Sequence, residues 1–97
     1  MRYEFHPEAE QEFIEAAAYY ERNVTGLGER FGSEVLYAIE RLLEYPELGS
    51  PIDGLRRLTL TRFPYFLIYS FTADLLQVVA VAHAHRRPGY WRSRVNR

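Results

Sequence analysis

Residues 83–91 read His-Ala-His-Arg-Arg-Pro-Gly-Tyr-Trp, and so bring two imidazoles, two guanidiniums and two aromatic rings together in one short stretch. Guanidiniums can hold a phosphate while an aromatic ring stacks a base, the minimum for contact with single-stranded nucleic acid. An arginine could also stabilise a phosphorane-like transition state, with histidine as general acid or base. The same residues have a structural reading. His83 would then be a satisfied residue at the edge of a core, the arginines would pair with helix carboxylates, and Tyr90-Trp91 would be a hydrophobic clasp. Residue types alone leave both readings open.

Other chemistries find no support. The chain has no cysteine, hence no disulfide framework, thiolate nucleophile or thiolate metal site. His83 and His85 sit two apart, so a strand would point both the same way, but no further histidine, cysteine or paired carboxylates join them, and no metal is expected. The glycines are scattered singly, so there is no phosphate-binding loop. Ser33, Ser50, Ser70 and Ser93 lack the surroundings of a serine nucleophile. No cofactor is expected.

These residues need a scaffold. At 97 residues, 47% hydrophobic and 15% aromatic, the chain has the material for one packed domain over residues 1–97 and is not a disordered tail. No apolar run approaches the roughly 20 residues of a membrane span, and no apolar signal segment opens the chain. With the lack of cysteine, that suits a cytoplasmic protein. The net charge of −1 hides an asymmetry: residues 1–47 carry eleven Glu and four Arg (−7), and residues 48–97 carry two Asp and eight Arg (+6). Every strong base is arginine, whose planar fork suits carboxylate and phosphate partners.

Arg2–Phe5 reads as a short strand. Pro7 suits the first position of a helix, and Glu8, Glu10 and Glu12 favour its positive end. Ala9, Phe13, Ala16, Ala17 and Tyr20 recur at helical spacing, and the helix is expected to end near Asn23. After Gly26 and Gly28, a second stripe of Leu27, Phe31, Val35, Ala38, Ile39 and Leu42 runs until Pro46 stops it. The short connection implies an antiparallel helical hairpin. Residues 46–54, PELGSPIDG, read as a loop. The period then changes to two, giving strands around Arg57–Thr61, Tyr65–Phe71 and Leu75–Ala84 separated by short turns. The expected fold class is α+β, a β-α-α-β-β-β chain with the hairpin packed on one face of an antiparallel sheet.

Strict alternation would send Val78, Ala80, Ala82 and Ala84 to the helix side of the last strand, and Val79, Val81, His83 and His85 to the other. On the preceding strand Phe66 and Ile68 oppose Tyr65, Leu67, Tyr69 and Phe71. Both faces of the centre of the sheet are thus apolar. The helices cover one, and the other needs a partner peptide, the C-terminal tail or a second copy.

Several segments are familiar as a set. HPEAEQEF (6–13), YYERN (19–23), AIERLLEYPELG (38–49), RRLTLTRFPYFLIYSF (56–71) and VVAVAHAHRRPGYW (78–91) together resemble the ParE branch of the RelE/ParE superfamily, the toxins of type II toxin–antitoxin and plasmid-stabilisation systems. The long helical hairpin ahead of the strands is more like ParE than RelE. The resemblance implies a toxin neutralised by a small antitoxin with an acidic segment. ParE-like members poison DNA gyrase without cutting nucleic acid, and RelE-like members cut mRNA on the ribosome.

Against the RelE-like nuclease site, Arg57 would supply one base, but the next outward position is Thr59, Phe66 stands where an arginine is expected, and Ala84 falls near another. Tyr90 matches the expected tyrosine, with Arg86 nearby, and His83 or His85 would have to replace the missing base. The candidate catalytic set is therefore Arg57, His83, His85, Arg86 and Tyr90, and losing even one guanidinium of such a site commonly costs about 10²-fold or more. The reading preferred on this comparison is a protein-binding toxin, with a ribosome-dependent mRNA endoribonuclease or a non-toxic member of the fold as the alternatives. Its antitoxin is expected on the sheet face bearing Phe66, Ile68, Val79 and Val81, with Arg86 and Arg87 beside it, unless the tail or a homodimer covers that face.

Overall fold

A computed structural model describes residues 1–95. After the first strand, β1 (Arg2–Phe5), the His6 imidazole Nδ1 accepts the N–H of Glu8 at 3.1 Å, capping α1 (Pro7–Asn23). Helix α2 (Leu27–Glu44) starts at Gly26, whose φ of 88° is open to glycine and which has no side chain to cap with. Glu21, from the end of α1, does the capping instead. Its carboxylate accepts the N–H groups of Gly26 (2.8 Å) and Gly28 (3.0 Å), tying the two helices together at their joint.

The helices meet closely there. A Cβ on Gly28 would lie 2.3 Å from the carbonyl oxygen of Ala17. Backbone cannot rotate away as a side chain tip can, so Gly28→Ala is expected to force the helices apart and cost about 1–3 kcal/mol, the usual range for overpacking. A urea titration checks this; an unchanged midpoint would mean that the helices are not in contact at this point.

The stretch expected to be a loop contains a strand. A 3-10 turn (Pro46–Leu48) leads into β2 (Ser50–Ile52), and Asp53-Gly54, at φ 50° and 80°, make the two-residue turn into β3 (Leu55–Thr59). Tyr69 holds this corner from below. Its hydroxyl donates to the Pro46 carbonyl (2.7 Å) and accepts the Gly49 N–H (2.9 Å). Strands β4 (Tyr65–Phe71) and β5 (Leu75–His83) complete the meander.

The sheet order is β1-β5-β4-β3-β2, with β1 parallel to β5 and all other pairs antiparallel. It is therefore a mixed sheet, not the antiparallel one expected, because α1 and α2 together return the chain so that β5 runs beside β1 in the same direction. The helical hairpin lies on one face as expected. Phe31, Val35, Ile39 and Leu42 are buried against Leu67, Tyr69, Leu76 and Val78, with Phe13 and Tyr20 half-buried at the margin.

One irregularity changes which residues face where. Ile68 stands opposite Ala80 and Tyr69 opposite Val78, so Val79 is an extra residue, a β-bulge. Past it the alternation is reversed. Val81 turns into the helix-side core, while Ala80 and Ala82 join Ile68 and Val79 on the far face. The expectation that Val81 lies beside Phe66, Ile68 and Val79 is thus corrected by one inserted residue.

Candidate functional site

The far face of the sheet is covered by the chain itself. Trp91 is 2% exposed and packs on Ile68, Val79, Ala80 and Ala82, with Tyr90 and Val95 beside it. Of the three covers that the sequence allowed, it is the tail that lies there, over the surface expected to receive an antitoxin. Residues 96–97, at the end of that tail, lie outside the described residues.

The tail is fastened at Glu12, on α1. This carboxylate accepts from Arg94 Nη1 (3.0 Å) and Nη2 (2.7 Å), from the Tyr90 hydroxyl (2.7 Å) and from the N–H of Val81 (2.9 Å). The same guanidinium donates to the Val79 carbonyl at 3.0 Å. Parallel β1 runs out at Phe5, opposite Val78, and leaves the edge of β5 unpaired beyond that point. Glu12 and Arg94 together occupy the position a longer β1 would take, one supplying the acceptor and the other the donor. Side chains of Glu12 and Arg94 are only 14% and 7% exposed, so a bidentate ion pair is held here away from bulk water.

The electrostatics follow from the geometry. Burial pushes the Glu12 carboxyl up, but hydrogen bonds from Arg94, Tyr90 and the Val81 N–H outweigh it and leave it below its ordinary value. Burial, followed by the bond to the Glu12 carboxylate, pushes the Tyr90 phenol well above the usual tyrosine range. The bond to Glu12 also raises Arg94. Arg86 lies over the Tyr90 ring at 3.8 Å, with its guanidinium 4.0 Å from Glu12. At the other end of the tail, Arg92 pairs with Asp53 of the β2–β3 turn.

The candidate residues are not brought into one constellation. Arg57 sits on the far face, its guanidinium 5.4 Å from the Phe66 ring. His83 is on the helix side, its ring 5.0 Å from that of Tyr65, because the bulge reversed its direction. His85 lies 5.1 Å beyond it, and its N–H donates to His83 Nδ1 at 3.0 Å. Arg86 and Tyr90 do come together, but around Glu12. Arg87 is exposed. Among the described residues no three His, Cys, Asp or Glu side chains group as metal ligands would, and no helix is long and apolar enough to cross a membrane.

Glu12 itself was missed in the sequence, where it is one of several acids on the first helix. A signal was present. Glu12 follows Ala9 by three residues and precedes Ala16 by four, so it belongs to the buried stripe.

A second feature is a cleft of about 900 Å³ between α2 and the end of β3 with its turn into β4. Tyr37, Leu58 and Phe63 give it apolar walls, and Arg30, Arg41 and Arg62 flank it. The carboxylate of Glu34, also in its wall, is occupied by the N–H groups of Thr61 (2.7 Å) and Arg62 (3.0 Å).

The profile of a family described as the ParE toxin of the type II toxin–antitoxin system parDE matches residues 3–88. The candidate toxin Y4kP of Sinorhizobium fredii is 32% identical over 75 residues, 75% of this chain and 77% of that protein. Among solved structures, a chain of a chromosomal ParDE toxin–antitoxin system from P. aeruginosa superposes with a TM-score of 0.72 at 16% identity, covering 88% of this chain and 97% of that one. That likeness is one of fold.

Proposed function

Because this chain belongs to the ParE family of toxins from type II toxin–antitoxin systems, we propose that it is a cytoplasmic toxin that acts by binding a protein target such as DNA gyrase and is held inactive by a small cognate antitoxin. The observation that carries the non-enzymatic part is the capture of Tyr90 and Arg94 by Glu12. A phenol whose proton is already donated to a carboxylate, and whose pKa is raised, is a poor acid or base near neutral pH. A guanidinium neutralised by a buried carboxylate is a poor phosphate clamp. Of the remaining candidates, Arg86 lies over the captured Tyr90 ring with its guanidinium 4.0 Å from Glu12, and Arg57 and the His83–His85 pair sit on opposite sides of the sheet, so they do not supply one alternative set.

The antitoxin surface is best placed at the α2–β3 cleft. It combines exposed Tyr37 with half-buried Phe63 and three arginines, one of its two carboxylates being already committed to the backbone. An acidic segment with apolar anchors that orders on binding fits such a groove. The far face, which was the first expectation, is already filled by Trp91.

Two outcomes check the reading. Tyr37→Ala with Arg41→Glu should weaken antitoxin binding by at least about 10-fold, as for loss of an aromatic anchor and a charge contact, with an unchanged thermal melt. A titration showing undiminished affinity would remove the cleft from the proposal. Arg86→Ala and Tyr90→Phe, in chains still folded, should each arrest growth when induced without antitoxin. Loss of arrest together with loss of mRNA cleavage would favour the nuclease instead.

A further inference from the structure

The sheet offers several places where main-chain groups would face solvent, and most carry a device that closes them. On the β2 edge Pro51 has no N–H to offer. Past the end of β3 the N–H groups of Thr61 and Arg62 are taken by Glu34. Past the end of β1 the free edge of β5 is taken by Glu12 and Arg94. The outer edge of β1, though short and charged, has no proline in it and no side chain bonded to its outward main-chain groups among the described residues. It contains no bulge, and Arg2, Tyr3 and Glu4 are all exposed.

The direction of its hydrogen-bonding groups is fixed by its pairing with β5. Arg2 and His6 donate inward, to the carbonyls of Asp74 (3.1 Å) and Val78 (2.9 Å). In a strand these groups alternate, so the N–H and C=O of Tyr3 and of Phe5 point outward. The side chains alternate too. Tyr3 and Phe5 lie together on the helix side, with Phe5 stacked on Phe13. Arg2 and Glu4 lie together on the far side, 3.6 Å apart.

We propose that this edge joins two copies of the chain into a two-fold dimer through antiparallel pairing of β1 with β1, centred on Tyr3. The sequence of the strand is self-complementary about that point. With Tyr3 opposite Tyr3 of the second copy, their outward N–H and C=O groups exchange two hydrogen bonds, and every Arg2 falls opposite a Glu4. The four charges then alternate in sign across the pair, where like charges would repel. On the helix side exposed Tyr3 meets its counterpart, and exposed Met1 falls opposite Phe5 of the second copy. The result is a continuous sheet with both helical hairpins on one face. A four-residue edge buries little area, so the dimer is a weak one that forms with rising concentration. The inference rests on the edge geometry alone and does not depend on the toxin reading.

Sedimentation velocity on the full chain over a concentration series tests it. The wild type should pass from monomer to dimer. Arg2→Glu and Glu4→Arg each place like charges opposite one another at two symmetric positions, and each should weaken association by roughly 10-fold or more. The double reversal restores opposite charges and should return association to within about threefold of wild type. Tyr3→Pro removes an outward N–H and no bond to β5, so it should leave the thermal melt unchanged and abolish the dimer. A wild type monomeric at every concentration, or single reversals that associate as well as wild type, would overturn the proposal. So would a Tyr3→Pro chain that self-associates normally but loses antitoxin, since the edge would then belong to that partner.

Discussion

Replacing Phe31 with alanine will lower the stability of the folded chain by about 3–5 kcal/mol, the range for removing a buried phenylalanine ring. Phe31 is fully buried, and rings surround it: Phe13 at 6.1 Å, Tyr20 at 5.3 Å, Phe63 at 5.1 Å and Tyr65 at 5.0 Å. They come from α1, the β3–β4 turn and β4, so this one side chain of α2 links both helices to the sheet. Rings held by three different backbone segments cannot collapse together into the space left behind, which puts the cost in the upper part of the range. Tilted and edge-on ring pairs add to the loss from area alone. A denaturant titration reads the result directly. A loss below about 1 kcal/mol would show that the space is refilled or that the ring is not central.

Glu12→Gln should have the next largest effect, and its site of action is the tail. Glutamine keeps the shape but leaves Arg94 charged, nearly buried and without its carboxylate partner. Removing one partner of a buried pair commonly costs about 3–5 kcal/mol. The low end is expected here, because exposed Glu8 still reaches Arg94 Nε at 3.2 Å. Trp91 is the only tryptophan, so its fluorescence reports whether the tail remains on the sheet. The expected result is a shift to longer wavelength in the variant. The pH dependence has a definite sign. The Glu12 carboxyl is held below its ordinary value in the fold. Its contribution is therefore fully present above the unfolded value of about 4.3 and is lost as pH falls through the lower folded value. Wild type should lose this stabilisation in that acid window, and Glu12→Gln should not. Parallel acid titrations of the two chains, compared at Trp91, measure the difference.

The parts of this fold that were legible in the sequence are those set by local period. Pro7 and the glutamates opened α1, the Phe31–Leu42 stripe marked α2, and the change to a period of two announced the meander. Misreadings came from interactions beyond that range. The Ser50–Ile52 strand was hidden because three residues containing a proline carry almost no periodic signal, although Asp53-Gly54 is a strong hairpin turn and could have revealed it. The parallel pairing of β1 depends on how far two helices carry the chain, which no short window contains.

The bulge at Val79 had the largest consequence for the site. One extra residue sent Val81 and His83 to the helix side, and nothing in a run of Val and Ala marks where an insertion falls. That single reversal separates His83 from Arg57 and dissolves the catalytic grouping that spacing suggested. The need for cover on the far face was readable, because apolar residues on both sides of a strand demand it. Which cover lies there was decided by Glu12, whose role depends on partners 69 to 82 residues away in the chain.

The central claim is that the chain acts on a protein and leaves nucleic acid uncut. The most direct test mixes purified chain, without antitoxin, with DNA gyrase and relaxed plasmid in one reaction, and with translating ribosomes and mRNA in another. The account predicts a dose-dependent loss of supercoiling, reversed by antitoxin, and mRNA of full length at the same doses. Cleaved mRNA on the ribosome with supercoiling untouched would contradict it.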